Sequence, residues 1–230
     1  MFRIAFSAAI AAGLFVSASA SRAAVISFET FSHGDRFTNG QTYNFDGFNA
    51  RIETNNNRGP NQAQIYDSRI SNGRDSDLQS PRNVFDNSVY QGGNLMIIAE
   101  NSNGPADDDA DGGTITFFFE KLVVFSGITL IDGEEGQNEI SVLARGRDNT
   151  LDFVLEDTFT GDDLWRSYVF DSVVTNEITV QFGGSGAFDQ IVIGEVPLPA
   201  SALLFATAIG GFILVRRQRI IAQLGRPAEH

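Results

Sequence analysis

Carboxylates are the one reactive side chain this sequence holds in quantity. Its 230 residues include 29 Asp+Glu, 2 His and no Cys. Without a thiol there is no cysteine nucleophile, thiolate metal site or disulfide framework. His33 lies in a turn-like SHGD and His230 is the last residue, so a Ser-His-Asp triad would rest on His33 alone. A histidine-based zinc site lacks ligands. The acids gather in three stretches. ADDDADGG (106–113) holds Asp107, Asp108, Asp109 and Asp111; YDSRISNGRDSDL (66–78) holds Asp67, Asp75 and Asp77; DGEEGQNE (132–139) holds Asp132, Glu134, Glu135 and Glu139. Asp at alternate positions with Gly for tight turns suits Ca2+, which takes 6–8 oxygen ligands. The 106–113 stretch echoes the opening of an EF-hand loop. It lacks the closing Glu and the flanking helices, so it reads as a solvated acidic hairpin loop. Paired carboxylates also serve glycosidases, but acids are so frequent here that no pair stands out. Trp165 is the sole tryptophan, and Tyr43, Tyr66, Tyr90 and Tyr168 are scattered. The sequence reads as a binding or structural protein, not an enzyme.

The elements that must position these residues are strands. Between Ala24 and Val196 helical periodicity is almost absent, and short β-rich runs are bounded by Gly, Asn and Asp. AVISFETF (24–31), GFNARIET (47–54), AQIYD (63–67), NLMIIAE (94–100), TITFFFE (114–120) and LVVFSGITLID (122–132) form the first group, with Gly127 marking a bulge or bend. NEISVLARG (138–146), LDFVLE (151–156), WRSYVF (165–170), NEITVQF (176–182) and FDQIVIGE (188–195) form the second. Alternation in EISVLAR and EITVQF suits strands with one wet face. The expected fold is all-β: one antiparallel β-sandwich of jelly-roll type, with the 20 Phe mainly in its core. Setting aside Arg3, Arg22, Arg216, Arg217, Arg219, Arg226 and Glu229 leaves this body 28 acids against 10 bases. Such a surface repels nucleic acid and anionic lipid.

Both ends look like addresses. MFRIAFSAAIAAGLFVSASASRAA has one early charge, Arg3, a short apolar stretch from Ile4 to Val16, and small residues after it. It reads as a signal peptide over 1–23, removed by signal peptidase, which leaves a β domain at 24–195. At the other end an uncharged run from Ala200 to Val215 is closed by Arg216, Arg217 and Arg219. With Leu198 and Pro199 it is about 18 residues, the lower end of what spans a membrane, and the arginines fit a positive-inside stop with a short cytoplasmic tail at 220–230. The layout of Val196, Pro197, Leu198, Pro199 and Ala200, then a Gly-Gly-containing apolar helix, then arginines, resembles the VPLPA variant of the PEP-CTERM sorting signals. The resemblance covers 196–219. It implies that an exosortase-type transpeptidase cuts near the proline motif and discards the helix, after an inner-membrane-tethered stage with the body in the periplasm. A retained single-pass anchor is the other reading.

The body in turn resembles the lectin-like or galactose-binding-like sandwiches that accompany such tails, at ISFETFSHGD, at GPNQAQIYDS followed by DSD, and at the closing SGAFDQIVIGE. In many such domains a structural Ca2+ joins the first strand, an early long loop and the last strand. The resemblance then implies Glu29, Asp35, Asp67, Asp75, Asp77 and Asp189 as its ligands, and no other cofactor. An arginine such as Arg36 or Arg51 is the alternative partner for Glu29 and Asp189, whose burial in apolar strands would otherwise be costly. For a sugar ligand the polar stretch TNNNRGPNQAQ (54–64) is the candidate; otherwise it is a mobile loop. The overall expectation is an exported surface or matrix protein, structural or associated with exopolysaccharide or biofilm. A carbohydrate-binding module is the alternative, and a carboxylate-based glycoside hydrolase a more distant one.

Overall fold

Phenylalanine and β-branched residues at alternate positions favour extended chain, since branched and aromatic side chains pack well on a pleated surface. The computed structural model describes residues 23–70, 76–133, 140–146, 148, 150–158, 161 and 163–196, all within one unit, Arg22–Val196. Its strands are β1 (Ala23–Ile26), β2 (Arg36–Phe37), β3 (Thr42–Phe45), β4 (Phe48–Asn56), β5 (Ala63–Asp67), β6 (Arg82–Asn83), β7 (Asn94–Ile98), β8 (Gly113–Ile131), β9 (Ile140–Arg145), β10 (Leu151–Thr158), β11 (Leu164–Phe182) and β12 (Ala187–Glu195). Every pairing is antiparallel except the short β6–β11 contact. No helix occurs among the described residues. The all-β antiparallel expectation is met. The readings placed on 1–22, on Pro197, Leu198, Pro199 and Ala200, on Arg216, Arg217 and Arg219, on the tail and on Asp75 lie outside the described residues.

Two 19-residue strands, β8 and β11, run alongside each other and hold the architecture together. The first half of β8 pairs with β4 on one side and the end of β11 on the other; β9 and then β10 continue that layer. The second half of β8 pairs with β12, which leads through β7 and β5 to β2. The halves close on one core. Phe117 of β8 and Phe28 both meet Phe188 of β12, at ring separations of 5.9 and 5.8 Å.

The sequence reading divides β8 at Lys121 and β11 at Asp171–Thr175. In the structure both run through. In β8 the alternation resumes in phase, with Phe117, Phe119, Val123 and Phe125 all buried and the charged pair exposed between them, while β11 passes its break with shifts of register against β8. The first expected strand is also shortened. It ends at Ile26, and FETF turns instead, with the Phe31 N–H donating to the Phe28 carbonyl. Gly127 does mark an irregularity. Opposite it both neighbours shift register, between Val169 and Val173 on β11 and between Asp189 and Val192 on β12. A Cβ there would lie 2.9 Å from the Tyr168 carbonyl oxygen, so only glycine allows the approach.

The bulge in β12 is what builds the site. Gln190 takes the left-handed conformation at φ 52, uncommon for a residue with a side chain. Phe188 and Ile191 both face the main core, so the two residues between them are turned to the outer side of the sheet. That outer side is covered over part of its area by a smaller apolar cluster of Tyr66, Leu78, Tyr90, Leu95, Ile97, Ala106, Ile131 and Ala187, with Trp165 packed at its margin.

Candidate functional site

The covering stops at Ser88–Gly92, and there a cavity of about 410 Å³ opens, walled by that segment and floored by Trp165, Ser167 and Gln190. This is the size of a small ligand pocket. Each wall residue is held by the fold. Trp165 donates its Nε1–H to the Ser88 carbonyl at 3.2 Å and meets the Tyr90 ring edge-on at 5.3 Å. Tyr90 passes so close beneath Gly92 that a Cβ there would lie 2.3 Å from its hydroxyl oxygen. On the floor, the Thr129 hydroxyl donates to Gln190 Oε1 at 3.3 Å and lies 2.7 Å from the Ser167 hydroxyl. With Thr129 thus committed as donor, Ser167 donates to it and keeps acceptor lone pairs, and the Gln190 amide N–H groups remain available. Gln91 turns its own amide N–H to the Val89 carbonyl at 3.0 Å, which leaves its side-chain oxygen as an acceptor.

Beneath the wall lies Asp189, 1% exposed. Its Oδ2 accepts the Tyr90 hydroxyl at 2.5 Å, and its Oδ1 is buried with no hydrogen bond of good geometry. Burial pushes the Asp189 carboxyl up to about 6; the Tyr90 hydroxyl and the Gln190 peptide oppose this, and nearby Glu29 adds to the rise. Burial, then the Asp189 charge, pushes the Tyr90 phenol far up, so it stays a donor at any physiological pH.

The residues expected to gather around a cation are distributed differently. Glu29 accepts the Asn94 backbone N–H at 2.8 Å and faces Arg69 at 3.4 Å. Asp67 binds Arg69 through both oxygens, at 2.7 and 3.0 Å, and this charged partner holds its carboxyl below the usual range. The arginine serving Glu29 is therefore Arg69, in place of Arg36 or Arg51. Arg36 instead donates to the Gln62 side chain and the Asn101 carbonyl, and Arg51 pairs with Glu53. Asp35 accepts the Ser32 N–H within its own turn, and Asp77 accepts the Ser76 hydroxyl. Among the described residues no three His, Cys, Asp or Glu side chains converge. Asp189 Oδ1 and Asn94 Oδ1 are among several buried oxygens of the described residues that lack a hydrogen bond, with Thr54, Gln64, Ser68 and Asn176 supplying the others.

Two further stretches are placed by the structure. In the polar stretch 54–64, Asn55, Asn57 and Asn61 stand exposed and Asn56 is buried. Its Asn56 side chain bonds the Ala99 carbonyl, Asp109 Oδ2 and the Arg58 and Gly59 N–H groups at 2.7–3.0 Å. The 106–113 loop is likewise tied down. Asp109 is buried against Asn56, Asp108 accepts the Ser185 hydroxyl and the Gly186 N–H at 2.6 Å each, and Asp111 pairs with Arg58. Of the pocket residues the sequence marks only Trp165 and Tyr90, as the sole tryptophan and one of four scattered tyrosines.

No family model matches the sequence, and no curated protein matches it significantly. Among solved structures the chain is similar to a Streptococcus pneumoniae fucose binding module, at 13% identity and TM-score 0.27, over 38% of this chain and 66% of that one. The chain thus spans just under two thirds of that module. It is also similar to two modules from Clostridium perfringens, each at 10% identity, TM-score 0.29 and 58% of this chain. These are CpGH89CBM32-6, 92% covered, and CpGH89CBM32-5 in complex with GalNAc-beta-1,3-galactose, 94% covered.

Proposed function

We propose that this chain is an exported surface protein whose β body, a lectin-like jelly roll, is a carbohydrate-binding module. The observation that carries this is the pocket of Trp165 and Tyr90 with hydroxyl and amide groups on its floor. An aromatic ring offers the apolar face of a sugar a flat partner, while fixed amide and hydroxyl groups satisfy its hydroxyls. Among the described residues the lining is of aromatic, hydroxyl and amide groups, which suit holding a ligand. The ligand class is exopolysaccharide or another surface glycan, in keeping with a matrix role. The test is Trp165→Ala in the secreted protein. Removing a central aromatic anchor is expected to weaken glycan binding by about 30-fold, near 2 kcal/mol, with Trp165→Phe keeping part of it. The melting temperature of both variants, read alongside, separates loss of the ligand face from loss of packing. Unchanged binding in Trp165→Ala would refute the site.

The address is proposed from the terminal sequences. A signal peptide exports the chain, the VPLPA-type segment at 196–219 is recognised by an exosortase-type transpeptidase, and the protein ends at the surface or outside the cell. Intact-mass measurement of secreted and membrane fractions is expected to find a species ending between Val196 and Ala200. A sole form retaining His230 makes it an anchored protein instead.

A structural Ca2+ is a second proposal, favoured by the partnerless oxygens of Asp189 and Asn94. Those two residues and Glu29 would hold it, while Asp67 is committed to Arg69. The cation would neutralise a buried carboxylate. If so, millimolar Ca2+ raises the melting temperature at neutral pH and EDTA reverses it; no response removes the proposal.

A further inference from the structure

We infer that the pocket takes saccharides without acid groups and turns away uronates, sialates and sulfated sugars. The inference rests on the carbohydrate reading of this pocket and concerns what that site selects.

Every group available to a ligand there is neutral. Gln190 offers amide N–H groups, Ser167 and Gln91 offer oxygens, and Trp165 offers a ring. The one ionisable lining residue, Tyr90, has its hydroxyl proton committed to Asp189. The charges around the cavity are negative. Asp189 lies buried directly behind Tyr90, and Asp86 stands at the Ser88 rim, accepting that residue's hydroxyl at 2.6 Å and its N–H at 2.9 Å. Those bonds hold Asp86 below the usual carboxylate range, so it is ionised whenever the protein is near neutrality.

Among the described residues no neighbouring cation is turned toward the cavity. Arg166 alternates to the far side of β11, with its guanidinium over the rings of Phe85 and Tyr168 at 4.9 and 4.7 Å. Arg82 donates to the Asn87 carbonyl, and Arg69 is clamped by Asp67 and Glu29. An anionic sugar would have to shed its hydration beside two carboxylates, with no guanidinium or ammonium to receive it. The net charge of −13 extends the same repulsion to longer range. A neutral sugar meets only dipoles and a ring.

The secreted protein is tested on an array that carries neutral glycans beside their uronate-, sialate- and sulfate-bearing counterparts, and positives are confirmed by titration. Neutral members are expected to bind at least tenfold more tightly than matched acidic ones, a gap that narrows when salt is raised from 50 to 500 mM. Gln91→Lys places a cation on the wall and is expected to shrink the gap by gaining acidic ligands. Equal or preferential binding of the acidic members by the parent protein overturns the inference while leaving the saccharide site standing. Binding to no glycan of either kind removes the site and the inference together.

Discussion

Phe188→Ala is expected to destabilise the β body by about 3–5 kcal/mol, the range for emptying a phenylalanine site in a packed core. Phe188 is fully buried. Its ring meets Phe28 at 5.8 Å, Phe117 at 5.9 Å and Phe182 at 6.0 Å, so one side chain joins β12, β8, β11 and the segment after β1. Two of those contacts are edge-to-face, at 81° and 78°, the arrangement the ring quadrupole favours. Domains of this size are stable by roughly 5–15 kcal/mol, and without cysteine no cross-link limits the unfolded chain. Thermal melting followed by circular dichroism should show a fall of about 10 °C or more. Phe85, 76% exposed, is the control; Phe85→Ala is expected to stay within about 0.5 kcal/mol of the parent. A Phe188→Ala protein melting with the parent would mean that the two halves of the sheet do not share this core.

Asp189 should make the protein less stable as pH rises from about 4 to above 6. Its carboxyl is raised from 3.8 to about 6 in the folded state. Over that window the native protein therefore holds a proton that the unfolded chain has released, and stability is lost on raising pH through the folded value. The size is of the order of 1–3 kcal/mol. Asp67 acts in the opposite sense and in a lower window. Its value is depressed by Arg69, so its contribution is lost as pH falls below the ordinary carboxylate range. The two contributions therefore oppose each other, Asp189 favouring the acid side of its window and Asp67 the side above the ordinary carboxylate range. Asp189→Asn keeps an oxygen for the Tyr90 hydroxyl and removes the buried charge. It is expected to flatten the profile between pH 4 and 7 and to melt above the parent at pH 7.5. A bound Ca2+ would reverse this, making the parent the more stable at pH 7.5 in calcium and returning the order on EDTA. An Asn variant that follows the parent's pH profile throughout would show that Asp189 is not the titrating group.

How far the fold could be read depended on where the controlling information lies. AQIYD (63–67) is bounded on both sides by turn residues, and β5 has those same limits. β8 and β11 each read as two strands, split at Lys121 and at Asp171–Thr175, because the polar pairs Glu120–Lys121 and Asp171–Ser172 interrupt the apolar runs. Whether an exposed polar pair ends a strand depends on the neighbour: β8 and β11 pair on both sides of those pairs and carry each other through. The short strands β2, β3 and β6 have too few residues to show a period; their partners define them.

The acids that opened the sequence reading divide along the same line. Composition alone determined that this is an acidic, cysteine-free protein in which carboxylates are the only abundant reactive chemistry. Hydrophobic alternation is a local property, and so the strand class was legible. Partnership is not local. Only the tertiary structure decided that Asp67 belongs to Arg69, that Asp108 and Asp109 fasten a loop, and that Asp189 lies buried under Tyr90, 99 residues away in the chain. The pocket depends on a left-handed Gln190 and on Trp165 reaching Ser88 across 77 residues. A backbone bulge and two long-range contacts have no counterpart in residue spacing, because they depend on which distant segments the sheet brings together.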